Sequence, residues 1–252
     1  MAFGSQVQGS APVGRNVFWV IMSALAWEIY EVLRASAQPP AGSWALAPAD
    51  LVLLVLFPAL TAFAFTRLFL ALNQTSRGTL HIYTTISTPF AWIFWLGLGI
   101  ALIGHGVHLA GHALHRAMPE VLAKGEFAAK ITFVDSTVSY LVLGIGLFLV
   151  SLAVLVQGVG VGQEIAGPER FLLVLGSLAT YGFTTLYLAV EGQQLILAIV
   201  SSVILCGLGL WRVPPSEVTR DPVAALIVPG SFLAGAALIV WTIVVGGQPV
   251  WP

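Results

Sequence analysis

Between Ser136 and Gln163, and again from Pro222 to Val245, the chain runs without a single Asp, Glu, Lys or Arg. Both stretches are dominated by Val, Leu, Ile, Ala and Gly. At about 1.5 Å of rise per helical residue, such a run is long enough to cross a hydrocarbon core of about 30 Å. A backbone in that core must satisfy its own N–H and C=O groups, which leaves helices and closed barrels. The alternating segments of about ten residues that a barrel requires are absent. The runs therefore read as helices.

Composition extends this reading to the whole chain. Of 252 residues, 8% are charged and 58% are hydrophobic, whereas an ordinary soluble domain is about 25% charged. Too few charges are present to clothe a water-soluble surface, and a disordered chain would be polar rather than apolar. The net charge of −1 and the lack of any like-charge run exclude a nucleic-acid-binding face and a polybasic lipid-binding tail. Cys206 is the only cysteine. An intrachain disulfide and CxxC metal or redox chemistry are thereby ruled out, and Cys206, inside an apolar run, reads as a small buried hydrophobe.

The apolar runs divide into seven segments, at about residues 16–33, 49–72, 88–114, 133–157, 170–190, 193–211 and 222–245. The expected fold is all-α: one polytopic domain over residues 1–252, a bundle of about seven transmembrane helices with no soluble domain. Gln38-Pro39-Pro40 and Val213-Pro214-Pro215 break the chain between segments, and the Glu191-Gly192-Gln193 turn is short enough to make its two helices antiparallel neighbours. Ala35-Ser36-Ala37 has the form of a signal-peptide cleavage site. However, Glu28, Glu31 and Arg34 precede it, so the first segment is expected to be a retained span. Arg15, Arg77, Arg170, Arg212 and Arg220 fall on the N-terminal side of the membrane. That bias places the N-terminus in the cytoplasm of a multi-pass cell-membrane protein.

One polar feature stands out. His105, His108, His112 and His115 follow spacings of three, four and three. At about 100° per residue they occupy an arc of roughly 80° on one helix face, which is how a helix offers several imidazoles to one point. His115, beside Arg116, reads as wetted at the membrane interface. His105, His108 and His112 are the expected metal ligands, joined by Asp135 at the start of the next span. Threading the spans carries Glu28, Asp135 and Glu191 to the same leaflet as the histidines. Intramembrane ionisable groups are costly without partners. Glu28 and Glu191 are accordingly read as further ligands or as the general base. Tyr187, Thr184, Ser139 and Glu31 are the expected supporting groups, from stripes at helical spacing on spans 5, 4 and 1. Trp27, Tyr30 and Trp44 read as interfacial anchors.

Imidazoles and carboxylates without thiolate suit a divalent transition metal, zinc or iron. Metal-bound water would support a hydrolase, and a larger ligand set an oxidoreductase, in either case acting on a lipidic or hydrophobic substrate. Two other readings stay open. One is a subunit of a larger membrane complex, non-catalytic or carrying a haem or chlorin on a single histidine. The other is a proton or metal-ion transporter. The second has little support in the half of the membrane away from the histidines, where only Arg67 and His81 lie. A retinal-type Schiff base lacks a buried lysine, since Lys124 and Lys130 both fall in the connection before span 4.

Overall fold

The computed structural model describes residues 11–36, 52–77, 88–118, 125–160, 165 and 167–249. Trp44 and His81 lie outside these, as does the side chain of Glu31. Among the described residues every element is helical, and there are seven helices. They are α1 (Ala11–Ser36), α2 (52–77), α3 (Pro89–Ala117), α4 (Glu126–Gly158), α5 (Gly167–Val190), α6 (Leu195–Arg212) and α7 (Pro222–Val244).

The last five, α3 to α7, are each long and apolar enough to cross a membrane. The first two are helical where spans were expected, and among the described residues neither holds a stretch that meets that standard. Helix α1 carries Arg15, Asn16 and Glu28 among its apolar residues, and α2 runs from the apolar turn Val52–Leu56 into the apolar segment Phe57–Asn73, which holds Arg67. Helix α4 begins well before the expected residue 133, because Glu126-Phe127-Ala128-Ala129-Lys130 forms an extra turn with a Lys130–Glu126 pair at 2.6 Å. Caps fix two of the starts. Thr88 Oγ1 accepts from Ala91 N–H at 3.2 Å ahead of Pro89. Asp221 Oδ1 accepts from Val223 and Ala224 N–H, while its Oδ2 takes Gly160 N–H at 2.8 Å and ties the end of α4 to the start of α7. Between α5 and α6 the chain reverses through Gln193, a non-glycine residue at φ 53°.

The apolar core gathers at one end of the bundle. Val17 and Ile21 of α1, Leu68, Phe69 and Leu72 of α2, Phe94 of α3, Leu155 of α4 and Val223 to Val228 of α7 pack together there. Phe69 stacks on Phe94 with ring centroids 4.2 Å apart. Helix α7 is the most enclosed element at this end, since Val223, Ala224, Ala225, Leu226 and Ile227 are each 0% exposed.

The opposite end is polar, and a seam of glycines organises it. Gly97, Gly104 and Gly111 recur every seven residues along α3 and all face α4. A Cβ at Gly97 would stand 2.7 Å from Leu149 Cβ and 2.9 Å from Gly146 O, and one at Gly104 would meet the backbone of Leu143 and Ser139. Gly146 reciprocates against the backbone of Ala101. Small residues let two membrane helices approach to backbone contact, where dispersion replaces the missing hydrophobic drive. The closely packed α3–α4 pair sets the geometry of everything between its two helices.

Candidate metal centre

Angular position on α3 decides which histidines meet α4. With the glycine seam as the contact line, His108 and His115 lie about 30–50° from it, whereas His105 lies about 100° away. His108 Nδ1 accordingly reaches Asp135 Oδ1 at 3.0 Å, and His115 Nδ1 stands 3.8 Å from Asp135 Oδ2. His112 turns back over its own helix to place Nε2 3.2 Å from His108 Nε2. His105 is buried at the side, its ring edge-on to Trp27 of α1 at 4.6 Å. Trp27 thus packs on a histidine, where an interfacial anchor was expected.

Gly111 is the reason the carboxylate fits. An added Cβ there would be 2.5 Å from Asp135 Cβ and Cγ and 2.6 Å from Oδ1. A π-type turn over Phe133–Val138 shapes the other side. Ser139 N–H donates to Val134 O, five residues back, so Asp135 O loses its usual partner. The Ser139 hydroxyl donates to that carbonyl instead, and His108 Nδ1 lies 3.4 Å from it. Ser139, expected beside Asp135 from spacing alone, is there for this reason.

His108, His112 and Asp135 each offer a ligand atom, and the three atoms lie within 4.8 Å of one another. For bonds of about 2.0–2.1 Å, ligands on a tetrahedral centre stand about 3.3 Å apart. The 3.2 Å between the two Nε2 atoms matches that edge. Asp135 Oδ1 is buried without a directed hydrogen bond despite its nearness to Nδ1. A buried oxygen in that condition has capacity for a further donor or a cation. The side chains of His108 and Asp135 are 13% and 12% exposed, and that of His115 is 35% exposed, so His115 marks the mouth of the cluster. Its Nδ1 lies 3.0 Å from Gly111 O, and its Nε2 lies 3.3 Å from Thr132 Oγ1.

The remaining expected residues sit around this point in different ways. Tyr187 of α5 meets Tyr140 of α4, hydroxyl to hydroxyl, at 3.1 Å, and Tyr140 Oη is 3.3 Å from His108 Nε2. Thr184, one turn before Tyr187, donates from Oγ1 to Glu28 Oε1 of α1 at 3.4 Å. Glu28 therefore faces α5 and joins the polar end through Thr184. Glu191 ends α5 and is exposed. Tyr140 is a participant that sequence reading passed over, as is Thr132. Five residues beyond Asp135, an ideal helix would turn Tyr140 about 140° away; the π-type turn between them alters that register.

No protein-family model matches the chain, and no curated protein and no solved structure is significantly similar to it.

Proposed function

We propose that the protein is a membrane-embedded metalloprotein whose centre, at His108, His112 and Asp135, carries out metal-dependent chemistry on a lipidic or hydrophobic substrate. The observation that carries the reading is the approach of three ligand atoms to within 4.8 Å from two separate helices. Two histidines and one carboxylate form the donor set of hydrolytic zinc sites and of non-haem iron oxygenase sites. Either metal keeps coordination positions open for water or substrate on such a set. Depth supports the substrate class. His112 lies about 8 Å from the Ala117 end of α3, and Asp135 about 14 Å from the Glu126 end of α4. This depth supports a centre within reach of acyl chains rather than at the water surface. With the N-terminus cytoplasmic, this is the outer leaflet.

Elemental analysis of the full chain purified in detergent tests the reading. Close to one zinc or iron per chain is expected, falling at least about tenfold in His108→Ala and in Asp135→Asn. Less than about 0.2 metal per chain after reloading, with unchanged stability in His108→Ala, would remove the centre.

A further inference from the structure

His108 has two ring nitrogens, and they face different groups. Nδ1 lies 3.4 Å from the main-chain oxygen of Asp135. A carbonyl oxygen only accepts, so this contact places the hydrogen on Nδ1 and the lone pair on Nε2. The ring then has one nitrogen to give a metal, and two further donors meet it there. His112 Nε2 is at 3.2 Å and Tyr140 Oη at 3.3 Å. Both separations fit the edge of about 3.3 Å expected between neighbouring ligands. Tyr140 is 5% exposed and comes from α4, across the seam from the two histidines. Its hydroxyl is in turn 3.1 Å from that of Tyr187 on α5.

From this convergence we infer that Tyr140 is itself a ligand of the metal, bound through its phenolate oxygen, with Tyr187 donating a hydrogen bond to that oxygen. The inference rests on the proposed centre and adds to it both a donor and a metal. On coordination the phenol O–H bond breaks, the Oη–metal bond forms and the proton leaves to water; no electron is transferred. A phenolate is a hard, anionic donor. Together with imidazoles and a nearby carboxylate it favours iron, in the ferric state above all, over metals that select thiolates. Asp135 acts from the other edge of the His108 ring. Its carbonyl fixes the tautomer, and its carboxylate, with an oxygen within 4.8 Å of the ligand atoms of both histidines, stays the third ligand of the proposed centre. Tyr181 serves as an internal control: it belongs to the neighbouring helix α5, but its hydroxyl meets Ser151 at 3.0 Å, away from the cluster.

The test is spectroscopic and needs no substrate. The full chain in detergent is loaded with ferric nitrilotriacetate, freed of excess, and read for iron content and visible absorption. About one iron per chain is expected, with a phenolate-to-iron charge-transfer band whose resonance Raman spectrum carries tyrosinate ring modes. Tyr140→Phe should lose the band, with or without the iron, while its helical content and unfolding temperature stay near those of the parent. Tyr181→Phe should keep the band unchanged, and Tyr187→Phe should keep it at a shifted position. Bound iron without the band, or a band that survives in Tyr140→Phe, overturns the assignment of Tyr140 and leaves the His108–His112–Asp135 centre standing. Failure of both ferric iron and zinc to bind removes the centre and its tyrosine together.

Discussion

Gly111 shows how closely a single residue controls the centre. Its hydrogen leaves the space that the Asp135 carboxylate fills, and a methyl group there would stand 2.5–2.6 Å from three atoms of that side chain. Gly111→Ala should therefore displace the carboxylate and weaken metal binding by about 10–100-fold, the range seen when a supporting group around a metal is disturbed. Chelator competition would measure it. Gly106, on the same helix, has open space where a Cβ would go. Gly106→Ala should leave affinity unchanged and stabilise the helix by up to about 1 kcal/mol. Equal affinities for the two variants would mean that the position of Asp135 does not matter to the metal. At this scale much was legible beforehand. Histidine spacing alone put His108 and His112 on one face, and threading brought Asp135 to their level. The divergence of His105 was not legible, because it depends on where the contact line with α4 falls within the arc.

That contact line is a property of the helix pair. Gly97, Gly104 and Gly111 form one series at seven-residue spacing, and Gly99 and Gly106 form another on the same helix. The sequence contains both, and only packing shows which one meets α4: Gly99 and Gly106 face open space. The same limit hid Tyr140, whose approach to His108 follows a turn in which hydrogen bonding shifts from four to five residues. Periodicity arguments assume a constant helical register, and they fail where the helix departs from it. The seam itself makes a prediction. Gly146→Val would drive a branched side chain into the backbone of Ala101, which cannot yield as a flexible side chain would. It should cost about 1–3 kcal/mol or more, read as a lowered unfolding temperature in detergent. Metal content should fall with it, because the same pair of helices carries His108 and Asp135. Full metal content in a destabilised Gly146→Val protein would separate the seam from the centre.

Across the whole molecule the two ends of the bundle differ in kind. The apolar end locks α1, α2, α3, α4 and α7 around Phe69, Phe94 and Leu226. The polar end joins α1 to α5 through Glu28 and Thr184, α5 to α4 through Tyr187 and Tyr140, and α4 to α3 through Asp135 and His108. A firm frame at one end permits close positioning of polar groups at the other, where burial without partners would be costly. This division predicts a topology. Five consecutive helices, α3 to α7, are long and apolar enough to cross a membrane, and five crossings put Glu126, at the start of α4, and Glu217, between α6 and α7, on opposite faces. Both are exposed. In a background with Cys206→Ala, an impermeant thiol reagent added to intact cells should label Glu126→Cys and spare Glu217→Cys, with the reverse pattern in inverted vesicles. That outcome puts the mouth at His115 and Thr132 on the outer side, where the arginine bias of the sequence places it. Labelling of Glu217→Cys alone in cells would keep the five crossings but turn the protein over, opening the metal centre to the cytoplasm. Labelling of both or of neither would break the count of crossings between them. The convergence of α1, α3, α4 and α5 on one leaflet would then fall with it.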